Sequence, residues 1–140
     1  MLIGFNKRFT TPIQIGTKVF TMRKRRKVRP KVGERMYMYE ALRTKHTKLI
    51  SNQEKLISIQ NARILIEFIG YDFYDGELYG IRIFIDRRPL TSEEIYQFVR
   101  FDGFTDLRDF CRYWLTDSKG KKKKRTGSLK ELYHWTDLRY

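Results

Sequence analysis

The alternation of apolar and polar positions predicts β-strands in the middle of the chain. Residues 62–69 (ARILIEFI) are rich in β-branched residues, and residues 78–85 (LYGIRIFI) place Arg82 among apolar neighbours. Turn-forming residues lie between these two stretches at Asp72 and Gly76, so we expect an antiparallel hairpin. Further strands are expected at residues 19–22, 36–42 and 129–138, the last with Trp135 near its centre.

Capping signals and apolar spacing predict the helices. Thr91 and Glu94 form a capping-box pattern before an apolar helical face that includes Phe98. A second amphipathic helix is expected over residues 107–115, after a break at residues 102–103.

A brief helix is also expected near the N-terminus, with Thr11 as N-cap, Pro12 in the first turn and an end near Gly16. The count is then five or six mostly antiparallel strands and two or three helices. This combination predicts a small α+β fold, either a sheet or a barrel. A length of 140 residues predicts one domain, residues 1–140.

The positive charge changes this picture, because it is concentrated in two short stretches. Residues 23–31 (RKRRKVRPK) hold seven of the 30 Lys and Arg residues, residues 119–125 (KGKKKKR) hold six, and neither stretch contains an acid. The rest of the chain is nearly neutral. Such patches attract a polyanion by releasing its counterions, so nucleic acid is the first partner to expect.

The residues expected to contact nucleic acid are of two kinds, cations for phosphates and aromatic rings for bases. The cations are Arg23, Lys24, Arg25, Arg26, Lys27, Arg29, Lys31, Lys121, Lys122, Lys123, Lys124 and Arg125, and the aromatic residues are Tyr39 and Trp135. Other interpretations stay open. A Lys run is also typical of a solvated loop, the first run fits a basic targeting signal, and core packing explains the aromatic residues equally well.

Several classes of protein are disfavoured by the composition. The single cysteine, Cys111, excludes an internal disulfide and is expected to be a core residue. With only two histidines, we expect no metal site and no cofactor. The chain has no apolar stretch of about 20 residues and no usable signal-peptide core, so we expect a cytoplasmic protein that does not enter a membrane.

Four separated segments, taken in order, resemble the ASCH group of PUA-like proteins. They are residues 16–23 (GTKVFTMR), 31–34 (KVGE), 101–104 (FDGF) and the closing aromatic residues 132–135 (LYHW), as in small bacterial and phage members. The resemblance implies a compact β-barrel flanked by helices, with a cleft that is associated with RNA.

The same group includes an enzyme branch that hydrolyses N4-acetylcytidine with a Lys, a Thr and a Glu. The resemblance places Lys18 and Thr21 on its Lys-x-x-Thr motif and its acid on Asp102, which is one methylene shorter than Glu. A Thr hydroxyl needs a base to become a nucleophile, and a desolvated Lys can supply one. In a regular strand, positions 18 and 21 would face opposite sides, so the site requires irregular backbone at Lys18.

Three functions follow as hypotheses. The first is an RNA-binding module that takes RNA or a nucleotide in a basic cleft next to Lys18, Thr21 and Asp102. The second is a hydrolase that uses the same cleft, either an N4-acetylcytidine-type amidohydrolase or a ribonuclease. The third is an adaptor whose basic loops bind an acidic protein. The alternative is that Lys18 is a surface lysine and Thr21 an ordinary strand threonine.

Overall fold

The computed structural model describes residues 1–74 and 76–140, and within them it has eight strands and three α-helices. The strands are β1 (Leu2–Phe5), β2 (Phe20–Arg23), β3 (Tyr37–Glu40), β4 (Lys48–Ser51), β5 (Ser58–Asp72), β6 (Gly76–Ile85), β7 (Arg88–Pro89) and β8 (Arg125–His134). The helices are α1 (Thr10–Gln14), which follows a 3₁₀ turn at Lys7–Phe9, α2 (Ser92–Phe101) and α3 (Leu107–Trp114). The expected small α+β fold is confirmed, with three helices where two or three were expected and with more strands than the expected five or six.

The strands form two sheets. The order in the first is β1–β3–β4, where β1 is parallel to β3 and β4 is antiparallel to it. The order in the second is β2–β8–β5–β6–β7, and its β2–β8, β5–β6 and β6–β7 pairs are antiparallel. Pairing is therefore mostly antiparallel, as expected. In residues 1–74 and 76–140 neither sheet closes on itself, so the barrel stays a prediction.

The expected central hairpin is present and is longer than its apolar segments. Ile64 lies opposite Ile83, and the pairing continues outwards to Asp72 and Gly76. Side chains alternate between the two faces of a strand, so the isoleucines at positions 64, 66, 83 and 85 all become buried. Backbone hydrogen bonds do not depend on an apolar side chain, and this is why the strands extend beyond the apolar residues.

The chain divides into two compact units, each built from several segments. The first contains Met1–Gln60, Phe101–Gly103 and Glu131–Tyr140, and the second contains Asn61–Arg100 and Phe104–Lys130. Buried side chains of the first unit include Ile3, Phe20, Met36, Met38, Leu56 and Tyr133. In the second unit, Phe110 packs edge-on against Phe98 and Phe104, and Cys111 is buried as expected. The expectation of one domain stays a prediction.

Helix and strand boundaries agree with the sequence in part. At α2, the Thr91 hydroxyl accepts a hydrogen bond from the Glu94 amide, and the Glu94 carboxylate accepts one from the Thr91 amide, so the capping box is confirmed. At α1, the N-cap is Phe9 and not Thr11, which lies inside the helix. Strand β8 begins and ends four residues earlier than expected, which leaves Trp135 just beyond it. No helix in the described part of the chain combines the length and the apolar character needed to cross a membrane.

Candidate functional site

Lys18 lies in the short irregular segment between α1 and β2, in the first unit. The amide of Lys18 donates a hydrogen bond to the Pro12 carbonyl at 3.0 Å, and the amide of Val19 donates one to the Phe101 carbonyl at 2.9 Å. These bonds replace the ladder of a regular strand until β2 begins at Phe20. The backbone at Lys18 is therefore irregular, which is the local condition that the hypothetical site requires.

The side chain of Lys18 reaches Asp102, 84 residues further along the chain. The Lys18 Nζ atom donates to the Asp102 Oδ1 atom at 2.5 Å and to the Asp102 backbone carbonyl at 2.6 Å. Both side chains are almost fully buried, with Lys18 and Asp102 each 2% exposed. A buried ion pair requires good geometry and further hydrogen bonds, and the second bond to the carbonyl supplies one.

Aromatic rings exclude water from the Lys18 ammonium. The Nζ atom lies 4.7 Å from the centroid of the Phe9 ring and 5.9 Å from that of Phe5. The ring faces partly replace the lost hydration by a cation–π interaction. Two aromatic side chains near the N-terminus thus form part of the surroundings of the pair, and no sequence signal marked them for this role.

The burial of the pair shifts both pKa values towards the neutral forms. Desolvation lowers the pKa of Lys18 below its ordinary value of 10.5; the attraction of Asp102 opposes this shift, and the charges of Arg23 and Arg8 add to it. Desolvation also raises the pKa of Asp102 above its ordinary value of 3.8, against the attraction of Lys18. A lysine in this state gives up its proton more readily than a surface lysine, which is the property required of a base.

Arg23 contacts Thr21, and its charge also acts on the buried pair. Residues 21 and 23 lie on the same face of β2, and the Arg23 Nε atom donates to the Thr21 hydroxyl at 3.3 Å. Arg23 also donates to the Gly4 carbonyl at 2.6 Å, and its charge acts on Lys18 and Asp102. Arg23, expected to bind phosphate, is therefore also part of the buried cluster. Thr21 is 4% exposed, so a substrate can reach the cluster only if the surrounding segments open.

Gly103 gives Lys18 room to approach Asp102. Its φ angle is +90°, a conformation that residues with a side chain rarely adopt. A Cβ atom at this position would lie 3.0 Å from the Lys18 Cδ atom and 3.1 Å from the Phe9 Cδ1 atom. The Asp-Gly dipeptide is therefore needed both for the turn and for the packing of Lys18.

The first basic run forms a loop after β2, and a buried acid pairs with two of its arginines. The Glu131 Oε1 atom lies 3.3 Å from Arg29 Nη2 and 3.9 Å from Arg25 Nε, and the Oε2 atom accepts a hydrogen bond from the Tyr133 hydroxyl at 3.0 Å. Arg26 donates to the Leu2 carbonyl at 2.8 Å. The exposed lysines of this loop are Lys24, Lys27 and Lys31. Sequence reasoning missed Glu131, because an acid inside a strand usually faces solvent.

The second basic run is an ordered turn that leads into β8. The Asp117 side chain accepts hydrogen bonds from the amides of Lys119 and Lys121, both at 2.9 Å. The five side chains from Lys121 to Arg125 are all exposed. The run therefore combines a fixed backbone with cationic side chains in solvent.

The two aromatic residues expected to stack on bases lie in the first unit. Tyr39 is half-buried in β3. Trp135 is only 7% exposed, and its ring lies edge-on to Phe5 with the two centroids 6.3 Å apart. Trp135 therefore packs in the core of this unit.

The described residues contain no group of three or more His, Cys, Asp or Glu side chains that could hold a metal ion. The contact that the structure shows among the three expected catalytic residues is the buried pair of Lys18 and Asp102, whose pKa values are both shifted towards the neutral forms. Comparison of the chain with protein-family models, with curated proteins and with solved structures found no match.

Proposed function

We propose that this protein binds RNA, as a member of the PUA-like ASCH group with its small barrel. In this proposal the loop at residues 23–31 contacts phosphates, and a base or nucleotide is received next to Lys18, Thr21 and Asp102. The observation that carries the proposal is the concentration of 13 of the 30 Lys and Arg residues in two short runs without an acid. The exposure of Lys24, Lys27 and Lys31 in the first loop supports it, because exposed cations can exchange counterions with a polyanion.

The test removes the three exposed lysines of the loop and measures the salt dependence of binding. Lys24, Lys27 and Lys31 are replaced together by Ser, and the affinity for a labelled single-stranded RNA is followed by fluorescence anisotropy between about 50 and 200 mM salt. Each lost phosphate contact lowers the slope of log K against log salt by about 0.7, so the variant should lose about 2 in slope and at least tenfold in affinity.

A control with the same change in net charge separates a local contact from a general effect. Lys45, Lys48 and Lys55 are exposed in the same unit but lie outside both runs. Their triple replacement by Ser should leave most of the slope intact. Equal losses in the two variants, or an affinity of the wild-type protein that does not change with salt, would contradict the proposal.

A hydrolase is the second candidate, and the buried Lys18–Asp102 pair favours it. In this mechanism, neutral Lys18 accepts the proton of the Thr21 hydroxyl, whose oxygen attacks the acetyl carbonyl of an N4-acetylated cytidine. The C–N bond breaks, the cytosine amine leaves with a proton, and water hydrolyses the acyl-threonine to release acetate. Asp102 holds Lys18 in place and tunes its basicity.

The replacement of Lys18 by Arg tests this mechanism, because Arg keeps the charge but does not give up its proton at working pH. Wild-type protein should release the acetyl group from N4-acetylcytidine, detected by mass spectrometry, and the rate should rise with pH as Lys18 loses its proton below the ordinary lysine pKa of 10.5. Lys18→Arg should be inactive, whereas Lys45→Arg, an exposed control, should be fully active. RNA is incubated with the protein in parallel, and new RNA ends without acetyl loss would indicate the ribonuclease. Unchanged substrates with folded wild-type protein would reject the enzyme.

A further inference from the structure

A cavity in the second unit lies beside the second basic run. Its volume is about 350 Å³, within the range of sites for small ligands. Aromatic rings and cations share its wall, including Phe68, Tyr71, Tyr79, Arg112, Lys122 and Lys124. Side chains of these two kinds are typical of grooves that hold single-stranded nucleic acid.

The aromatic rings leave a stacking face open. Phe68 lies edge-on to Tyr71 and to Tyr79, with ring centroids 5.2 Å and 5.8 Å apart. Edge-to-face contact occupies the edge of one ring and does not cover both faces of its partner. Tyr71 is 75% exposed, so its ring is accessible to a base from solvent.

Hydrogen bonds hold the backbone of the segment that carries the lysines at this cavity. The Lys123 amide donates to the Leu115 carbonyl at 2.7 Å, and the Lys124 carbonyl accepts a bond from the Phe68 amide at 2.7 Å. These bonds fix the run between the end of α3 and strand β5. Lysine side chains on a fixed backbone lose less freedom when they bind a phosphate than those on a mobile tail.

Among the described residues, the cavity wall has one carboxylate, Glu77, and its charge is already compensated. Its Oε2 atom accepts hydrogen bonds from the Tyr79 hydroxyl and from Arg112 Nε, both at 2.6 Å. The hydrogen bond from Tyr79, followed by that from Arg112, lowers the pKa of Glu77, while burial raises the pKa of Tyr79 to about 12. Arg112 offsets the Glu77 charge, so the lysines at positions 122–124 give the wall an excess of positive charge.

We propose that this cavity binds a nucleotide of single-stranded RNA, with its base stacked on Tyr71 and its flanking phosphates on Lys122 and Lys124. The inference rests on the proposed RNA binding and adds to it a base-stacking site in the second unit. The site shares no residue with the Lys18 cluster or with the loop at residues 23–31.

The test separates stacking from charge with two labelled probes, an eight-nucleotide oligouridylate and a phosphodiester chain of the same length without bases. Tyr71→Ala should weaken oligouridylate binding by about tenfold and leave the abasic probe unchanged, since one stacked base contributes on this scale. Tyr96→Ala removes another exposed tyrosine of the same unit, outside the cavity wall, and should change neither affinity.

Lys122→Ser should weaken the binding of both probes. Lys119→Ser removes a charge from the same run but outside the cavity wall, and it should weaken the binding less. If wild-type protein binds the oligouridylate and Tyr71→Ala binds it equally well, the stacking site is wrong while the proposed function stands. If wild-type protein binds neither probe, the proposed function and this inference both fail.

Discussion

Gly103 is the residue on which the geometry of the buried pair depends. Its positive φ turns the chain after Asp102, and its missing side chain leaves the space that Lys18 and Phe9 occupy. Because of these two roles, we expect any other residue at position 103 to reduce the stability of the protein. The backbone penalty and the contact with Lys18 can be measured separately, because the first unit contains another glycine of similar conformation, Gly33.

Gly103→Ala should destabilise the protein by about 2–3 kcal/mol, since it adds a left-handed backbone penalty to overpacking against Lys18. Gly33→Ala is the matched control, because Gly33 has a φ of +92° and no atom within 4 Å of its Cβ position. It should show only the backbone penalty of about 1–2 kcal/mol. Urea unfolding of both variants measures the difference, and equal losses would show that the contact with Lys18 has no energetic weight.

The contact between Lys18 and Asp102 could be anticipated only from the order of the short motifs. Local periodicity carries no information about two residues that are 84 positions apart. The surroundings of the pair were not anticipated, because Phe5 and Phe9 read as ordinary apolar residues. Glu131 was missed for a similar reason, since its arginine partners, Arg25 and Arg29, are distant in the chain.

Helix α2 shows how a local signal can define an element. The reciprocal hydrogen bonds of Thr91 and Glu94 satisfy amides that the first turn leaves unpaired. Glu94 also forms two bonds with Arg88, at 2.7 and 2.9 Å, and this pairing together with the capping bond lowers the pKa of Glu94 to about 2. The start of this helix is therefore encoded in four consecutive residues and was predicted correctly.

Thr91→Ala should reduce the free energy of unfolding by about 1 kcal/mol, because it removes the acceptor for the Glu94 amide. Thr91→Ser keeps a hydroxyl at the same place and should be close to wild type. Thermal unfolding followed by circular dichroism compares the two. A Ser variant as unstable as the Ala variant would mean that the hydroxyl is not the stabilising group.

Strand β4 shows the opposite case. Its four residues, Lys48–Ser51, lie in a polar stretch without clear alternation, and only Ile50 among them is buried. The strand exists because β3 offers it backbone partners, with Glu40 opposite Lys48. Pairing of this kind depends on tertiary context, and so does the parallel pairing of β1 with β3.

At the scale of the whole molecule, the fold class and the distribution of charge could be predicted from the sequence, but the order of strands in the sheets could not. Apolar alternation identified the hairpin of β5 and β6, and helical spacing identified α2 and α3. The arrangement of the strands into two sheets depends on contacts between distant segments, which a single sequence does not display. The two basic runs are visible in the sequence. The different structural environments in which the fold places them are not.

The contacts of Glu131 with Arg25 and Arg29 have a consequence for the first basic loop. An arginine side chain in solvent samples many rotamers, and a ligand that fixes it must overcome that loss of entropy. Here Glu131, an anion of the protein itself, lies 3.3 Å from Arg29 Nη2 and 3.9 Å from Arg25 Nε, while the two arginine side chains stay 49% and 76% exposed. Arg29 is the nearer and the less exposed of the two, so it is the guanidinium group that Glu131 can orient before a phosphate reaches the loop. In this respect the loop differs from a flexible cationic tail, which has no internal anion to orient its side chains.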